Sequence, residues 1–272
     1  MLAKIVAGIR QEVAARKHTR PLAALRRETT PGAHAFARAL RAADWALIAE
    51  CKLASPAKGL LCGRHTVPEL ARIFTAGGAA ALSVHTSAPF RGRLQDIAAV
   101  RAASSLPILR KDFIIDEYQL YEARAAGADA VLLIAAILTD GQLLRFLAVA
   151  DTLGLDTLVE VHSRAELDRV QRTPAPIIGI NNRDLATFTT DIAATFALLP
   201  HTDSSRLIIS ESGIAGGHDA HRLKQAGVRG VLVGEALVTA PDILVRTREL
   251  ARPGETPGPL NAPHTKEETQ NA

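Results

Sequence analysis

The run from Pro107 to Asp116 reads as a short buried strand, Ile108 and Leu109, that ends abruptly in Arg110, Lys111 and Asp112. A strand enclosed on both faces should be apolar, so charge at its carboxyl end marks a mouth where the strand leaves the core. In parallel α/β folds that end is where ligands and catalysis gather. Glu50 and Lys52 close an earlier apolar segment. Alternation along a strand sends both to one side, and a carboxylate and an ammonium placed there tune each other's pKa. Glu160 sits inside Leu158-Val159-Glu160-Val161, where an unpaired carboxylate is costly away from water. Two further segments end in Asn181-Asn182-Arg183-Asp184 and Ser210-Glu211-Ser212-Gly213. Taken singly, each has a structural alternative: a salt bridge, or the polarity expected where any strand meets solvent. Taken together, these strands deliver Glu50, Lys52, Lys111, Glu160, Asn181 and Glu211 to one rim. Stability alone does not explain such a constellation.

Gly213 follows the seventh apolar segment and Gly234 the eighth. Backbone amides of those loops, with the short helix beyond, are a frequent phosphate cradle in barrels, although barrels use glycine in many turns. Glu235 would offer its amide to a phosphate, with its carboxylate turned away. The sequence holds no compact His/Cys ligand cluster and no dinucleotide fingerprint. Neither a metal nor a cofactor is expected, and His85, alone at the end of the second segment, is not read as a ligand.

The elements that must position these groups are legible as a repeat. Eight apolar segments centre on Ala46–Ile48, Ala81–Val84, Ile108–Leu109, Ala130–Ile134, Thr157–Val161, Ile177–Ile180, Leu207–Ile209 and Gly230–Val233. Helical periodicity lies between most of them. Thr66 with Glu69, Asp116 with Gln119, Thr139 with Gln142 and Ser163 with Glu166 have capping-box spacing. One helix-to-strand junction recurs as Ala76-Gly77-Gly78-Ala79, Ala126-Gly127-Ala128-Asp129 and Ala226-Gly227-Val228-Arg229, with glycine suited to the left-handed turn that ends a helix. The echo favours a repeated βα unit, hence an α/β fold of the (β/α)8 TIM-barrel type, over two unrelated domains; a doubly wound open sheet is the alternative. Residues 1–251 are expected to form one barrel domain, including an additional N-terminal helix over 1–18 whose apolar stripe is Leu2, Ile5, Ile9 and Val13. Residues 252–272, with almost no apolar content, are expected to be a disordered tail.

Composition narrows the function. The 272 residues are 47% hydrophobic but only 4% aromatic, so the core is built from Ala, Val, Ile and Leu. No apolar run is long enough to span a bilayer, the charged first ten residues lack a signal-peptide core, and two cysteines make no disulfide framework. A cytoplasmic location is expected, with no membrane partner. Basic residues cluster early, at Lys4, Arg10, Arg16, Lys17, Arg20, Arg26 and Arg27. Without interleaved stacking aromatics they read as a solvated helix face rather than a nucleic-acid surface. The net charge of +4 suits electrostatic steering of an anionic small molecule.

Several strings carry a family resemblance: IAECKLASPAKG (48–59), PILRKDFIIDEYQLYEARAAGADAVLLI (107–134), VEVHS (159–163), GINNRDL (179–185), ISESGI (209–214) and LVGEALV (232–238). In this order they make the chain resemble indole-3-glycerol-phosphate synthase over residues 1 to about 250. The resemblance implies a phosphorylated substrate, 1-(2-carboxyphenylamino)-1-deoxyribulose 5-phosphate. It also implies a reaction that closes a pyrrole ring with loss of carbon dioxide and water. By the same match Lys111 is the general acid at the ribulose carbonyl, Lys52 holds anionic groups, and Glu160 serves the dehydration. Glu50 and Asn181 orient the lysines and substrate hydroxyls, while Glu211 and Ser212 line the pocket. Amides of Gly213, Gly234 and Glu235 bind phosphate with Arg183 nearby, and Ser55 and Phe90 are further substrate-binding positions. A free-standing enzyme, monomeric or weakly homo-oligomeric, is expected.

Leu53, Ala57, Arg93 and His85-Thr86-Ser87 depart from the family pattern without removing a catalytic group. Two other readings compete. A Schiff-base aldolase would need Lys111 neutral and accessible. An inactive scaffold or phosphate sensor would gain nothing from so complete a charged rim.

Overall fold

The computed structural model describes residues 2–56, 58–184, 187 and 189–255. All eight expected strands form: β1 (Ala46–Cys51), β2 (Ala81–His85), β3 (Ile108–Lys111), β4 (Ala130–Ile134), β5 (Asp156–Val161), β6 (Ile177–Asn181), β7 (Leu207–Glu211) and β8 (Gly230–Val233). Each pairs in parallel with its neighbours, and β8 returns to β1, so the sheet is a closed barrel rather than an open doubly wound sheet. Helices fill the crossovers: a (β/α)8 TIM barrel.

The strict two-residue period of the strands sorts their side chains into two cores. Ala46, Ile48, Leu109, Leu132, Leu158, Ile209 and Leu232 pack together inside the barrel. Leu47, Ala49, Val131, Val159, Ile178 and Val231 pack outward against the helices. Helix Ala35–Ala42 adds Phe36 and Leu40 to the inner cluster. The backbone N–H of its Ala37 donates to Asp156 at the start of β5 (2.7 Å), so this helix closes the amino-terminal end. The opposite end is left open.

The N-terminal helix runs over Leu2–Thr19 and is followed by a second, Leu22–Glu28. Ile9 and Val13 bury with Leu25 and Tyr118. The basic face does more than meet solvent. Arg16 pairs with Glu122 (2.7 Å), Lys17 with Asp116 (2.7 Å) and Arg26 with Glu117 (2.7 Å), tying both helices to the helix Tyr118–Ala125 that follows β3 and to the two residues that lead into it. Capping follows the predicted spacings: Thr139 N–H donates to Gln142 and Gln142 N–H returns to the Thr139 hydroxyl, and Ser163 accepts from Glu166 N–H. At the three glycine junctions Gly78, Gly127 and Gly227 take φ of 90°, 96° and 97°. The first junction uses its second glycine for the turn. Of the expected tail, everything past residue 255 lies outside the described residues, as does Ala57.

Candidate active site

At the open end the last inward position of most strands carries a functional group, around a cavity of about 410 Å³. Lys111, from β3, donates from Nζ to Glu211 Oε2 on β7 (2.6 Å) and to Glu160 Oε2 on β5 (3.1 Å). Lys52, just past β1, lies 3.4 Å from Glu50 Oε1. The other Glu50 oxygen lies 3.2 Å from His85 Nε2. His85 stacks on Phe90 with ring centroids 4.2 Å apart, and Lys52 Nζ hangs 5.6 Å from the same Phe90 ring. Phe113, Leu132, Ile134 and Leu232 add apolar side chains to the lining, from just past β3 and from β4 and β8.

Burial opposes charge on Lys111, Glu50, Glu160 and Glu211, and the neighbours decide the outcome. For Lys111, burial alone would lower the pKa, but Glu211, Glu160 and Glu50 outweigh it and hold the ammonium form firmly. Burial likewise works against the Glu50 carboxylate; His85, Lys52 and Lys111 prevail, keeping it well below the usual range. Glu160 is also held low against its burial, by Lys111 and His162. Glu211 goes the other way: burial pushes it up to about 7, assisted by the charge of Glu160 and opposed by Lys111. Its Oε1 is buried without a hydrogen-bond donor among the described residues, whereas Glu160 has His162 beside it to hold its charge.

The β6 and β7 ends form a strained, cross-braced loop. Ser212 adopts φ 66° and Gly213 φ 75°, a conformation unusual for a residue with a side chain. Buried Asn182 braces it from behind: its amide donates to Ser212 O and to Ser210 Oγ (both 2.9 Å), and its Oδ1 accepts from Thr195 N–H and hydroxyl. Asn181 Oδ1 accepts from Arg183 N–H (3.0 Å). Arg183 lines the cavity with a buried Nε that has no acceptor among the described residues.

Glu50, Lys52, Phe90, Lys111, Glu160, Asn181, Arg183, Glu211, Ser212 and Gly234 therefore share one cavity. Ser55, Gly213 and Glu235 are not part of its lining. Ser55 accepts from Lys58 N–H (3.1 Å), and the Glu235 carboxylate pairs with Lys58. Arg110, grouped with the mouth charges by its position in sequence, turns out of the barrel. It is fully buried against Asp112 (2.9 Å), Glu122 (3.2 Å) and the Thr86 hydroxyl (3.0 Å). His85, not expected to be a ligand, lies beside Glu50. His162 behind Glu160 was missed, although its two-residue spacing from Glu160 was a usable signal.

A mouth of paired lysines and carboxylates at the carboxyl ends of barrel strands defines a (β/α)8-barrel enzyme. The family model for indole-3-glycerol phosphate synthase matches residues 2–250. A relative of that name from Desulforamulus reducens is 51% identical over 227 residues, covering 82% of this chain and 86% of its own. Indole-3-glycerol phosphate synthase 2 of Ralstonia nicotianae is 44% identical over 259 residues, 93% of this chain and 97% of the relative. The chain belongs to the indole-3-glycerol phosphate synthase family. Among solved structures, 3-hexulose-6-phosphate synthase from Salmonella typhimurium superposes with a TM-score of 0.61 at 16% identity, over 76% of this chain and 96% of that one, a likeness of fold.

Proposed function

We propose that the cavity binds 1-(2-carboxyphenylamino)-1-deoxyribulose 5-phosphate and converts it to indole-3-glycerol phosphate. The observation that carries this reading is Lys111, held as an ammonium between Glu160 and Glu211 in a cavity whose lining also includes Phe113, Leu132, Ile134 and Leu232, apolar side chains suited to an aromatic ring. The aromatic carbon of the substrate is a weak nucleophile, so the ribulose carbonyl must be polarised. Lys111 supplies the proton as the carbon–carbon bond forms, an effect on the order of 10²–10⁴-fold. Loss of carbon dioxide then restores the aromatic ring. Glu160 exchanges the protons of the dehydration that follows, while Lys52 holds the substrate's anionic groups and Glu50 holds Lys52. Asn181, Glu211 and Ser212 orient the sugar. The amides of Gly213, Gly234 and Glu235 take the phosphate, with Arg183, whose buried Nε has no acceptor among the described residues, supplying charge. Ser55 shapes the loop after β1, and Phe90 covers Lys52.

We further place the protein in the cytoplasm as a monomer or weak homo-oligomer, with residues 1–251 acting as one domain. A Schiff-base aldolase needs a neutral lysine, which two carboxylates within 3.1 Å of Nζ oppose. Incubation with the anthranilate-ribulose phosphate tests the proposal. Indole fluorescence is expected to grow, and borohydride is expected to trap no adduct. Folded protein that yields no indole product removes the reading.

A further inference from the structure

His162 lies two residues beyond Glu160 and is buried behind it. Its Nε2 is 3.3 Å from Glu160 Oε1, and its Nδ1 is 3.4 Å from Glu166 Oε2. Glu166 is anchored there by the His162 backbone N–H, which donates to it at 2.8 Å. The Glu166 side chain remains 19% exposed, so it reaches solvent from the first turn of the helix Arg164–Gln171. Glu160 Oε2, on the other side, accepts from Lys111. A series of ionisable groups with neighbouring polar atoms 3.1–3.4 Å apart thus runs from the general acid, through Glu160 and His162, to Glu166 at the surface. The two imidazole contacts are long and bent for resting hydrogen bonds, so proton transfer along the series requires a small rotation of the ring.

The reaction needs such a route if the function proposed above holds. Ring closure places one proton on the former carbonyl oxygen. The bond to the carboxylate then breaks, releasing carbon dioxide and returning its electron pair to the ring. Departure of the hydroxyl as water takes a second proton, and the neighbouring methylene returns one. Each turnover of the carboxylate substrate therefore consumes one proton from solvent.

Resting on that reading, we infer that His162 and Glu166 are a proton relay serving Glu160, which carries that proton inward along a path separate from the substrate-filled mouth. His162 Nε2–H passes to the Glu160 carboxylate. The ring, left neutral with its proton on Nδ1, exchanges to the Nε2–H tautomer, and the freed Nδ1 accepts the next proton from Glu166, which takes it from solvent. The charged groups around the relay favour a loaded ring. Burial works against the imidazolium, but Glu160 and Glu166 outweigh it and raise its pKa to about 9. Arg169 acts on Glu166, and Lys111 and Glu211 act on Glu160. His162 touches no substrate, so its role is that of a positioning and relay residue.

The test uses the full chain and the anthranilate-ribulose phosphate, comparing wild type with His162→Gln and Glu166→Gln in dilute buffer and with added imidazole. His162→Gln is expected to lower kcat on the order of ten- to a hundredfold with KM unchanged. Added imidazole should restore part of the loss, while wild type ignores it. Glu166→Gln, which keeps an acceptor for the His162 N–H, should show a smaller loss with the same buffer dependence. Wild-type rates in both variants overturn the relay, as does a loss that imidazole does not relieve or that appears in KM. Should His162→Gln fail to fold, a wild-type, buffer-independent rate in Glu166→Gln overturns it alone. Wild type itself reports on the underlying reading, because absence of product there removes the reaction and not merely the relay.

Discussion

Glu211 Oε1 lies directly over Gly179: a methyl group on that glycine would stand 2.0 Å from the oxygen. Glu50 Oε1 and Gly234 stand in the same relation, at 2.3 Å. Two interior glycines thus vacate the volume that two site carboxylates occupy. In Gly179→Ala the carboxylate must leave Lys111 or the strands must part, costing about 1–3 kcal/mol and much of kcat. Urea midpoints and turnover check this, and an alanine variant matching wild type in both shows that Glu211 has room to move.

The raised pKa of Glu211 gives the pH profile a sign. Below about 7 its carboxyl is neutral, Lys111 has one anionic partner fewer, and its proton is more readily given. Above that pH the ionised pair holds the proton back. The kcat/KM of wild type is therefore expected to fall as pH rises through about 7. Glu211→Gln, fixed in the neutral state, should lack that step. A step that persists in the variant assigns it to another group.

Arg110 offers a prediction about stability rather than catalysis. It is buried with Asp112 and Glu122, and removing one member of such a set leaves charge uncompensated. Arg110→Met is expected to lose about 3–5 kcal/mol, read as a shift of the denaturation midpoint. A shift inside the scatter of surface substitutions means the carboxylates find other partners.

His162 links stability to pH. Its folded pKa, about 9, is raised above the ordinary 6.5, so its contribution is fully present below about 6.5 and disappears as pH rises through about 9. The stability gap between wild type and His162→Gln should accordingly be widest near neutrality or below and close in alkali. A gap that is constant with pH places the effect in packing instead of charge.

Most of the barrel, and the inward placement of its charged groups, is legible in the sequence because strand parity is a local rule. Glu50, Lys111, Glu160, Asn181 and Glu211 fall at the inward positions of their strands, and each stands out against apolar neighbours. The same rule, applied to Arg110, places it opposite Lys111; reading Arg110, Lys111 and Asp112 as one charged cluster overlooked that. Gly179 was not legible, since its role depends on the register that brings Asn181 beside Glu211 on the next strand. The basic N-terminal face was read as solvated because its carboxylate partners at 116, 117 and 122 lie some ninety or more residues away. His85 looked isolated for the same reason, since Glu50 reaches it only across the pairing of β1 and β2.

Turnover of Lys111→Met on the anthranilate-ribulose phosphate, with binding of an unreactive phosphate analogue measured alongside, bears most directly on these assignments. Loss of Nζ should lower kcat on the order of 10³-fold or more while the analogue still binds and the fold persists. Indole formation by that variant at close to the wild-type rate would contradict the role of Lys111 as proton donor.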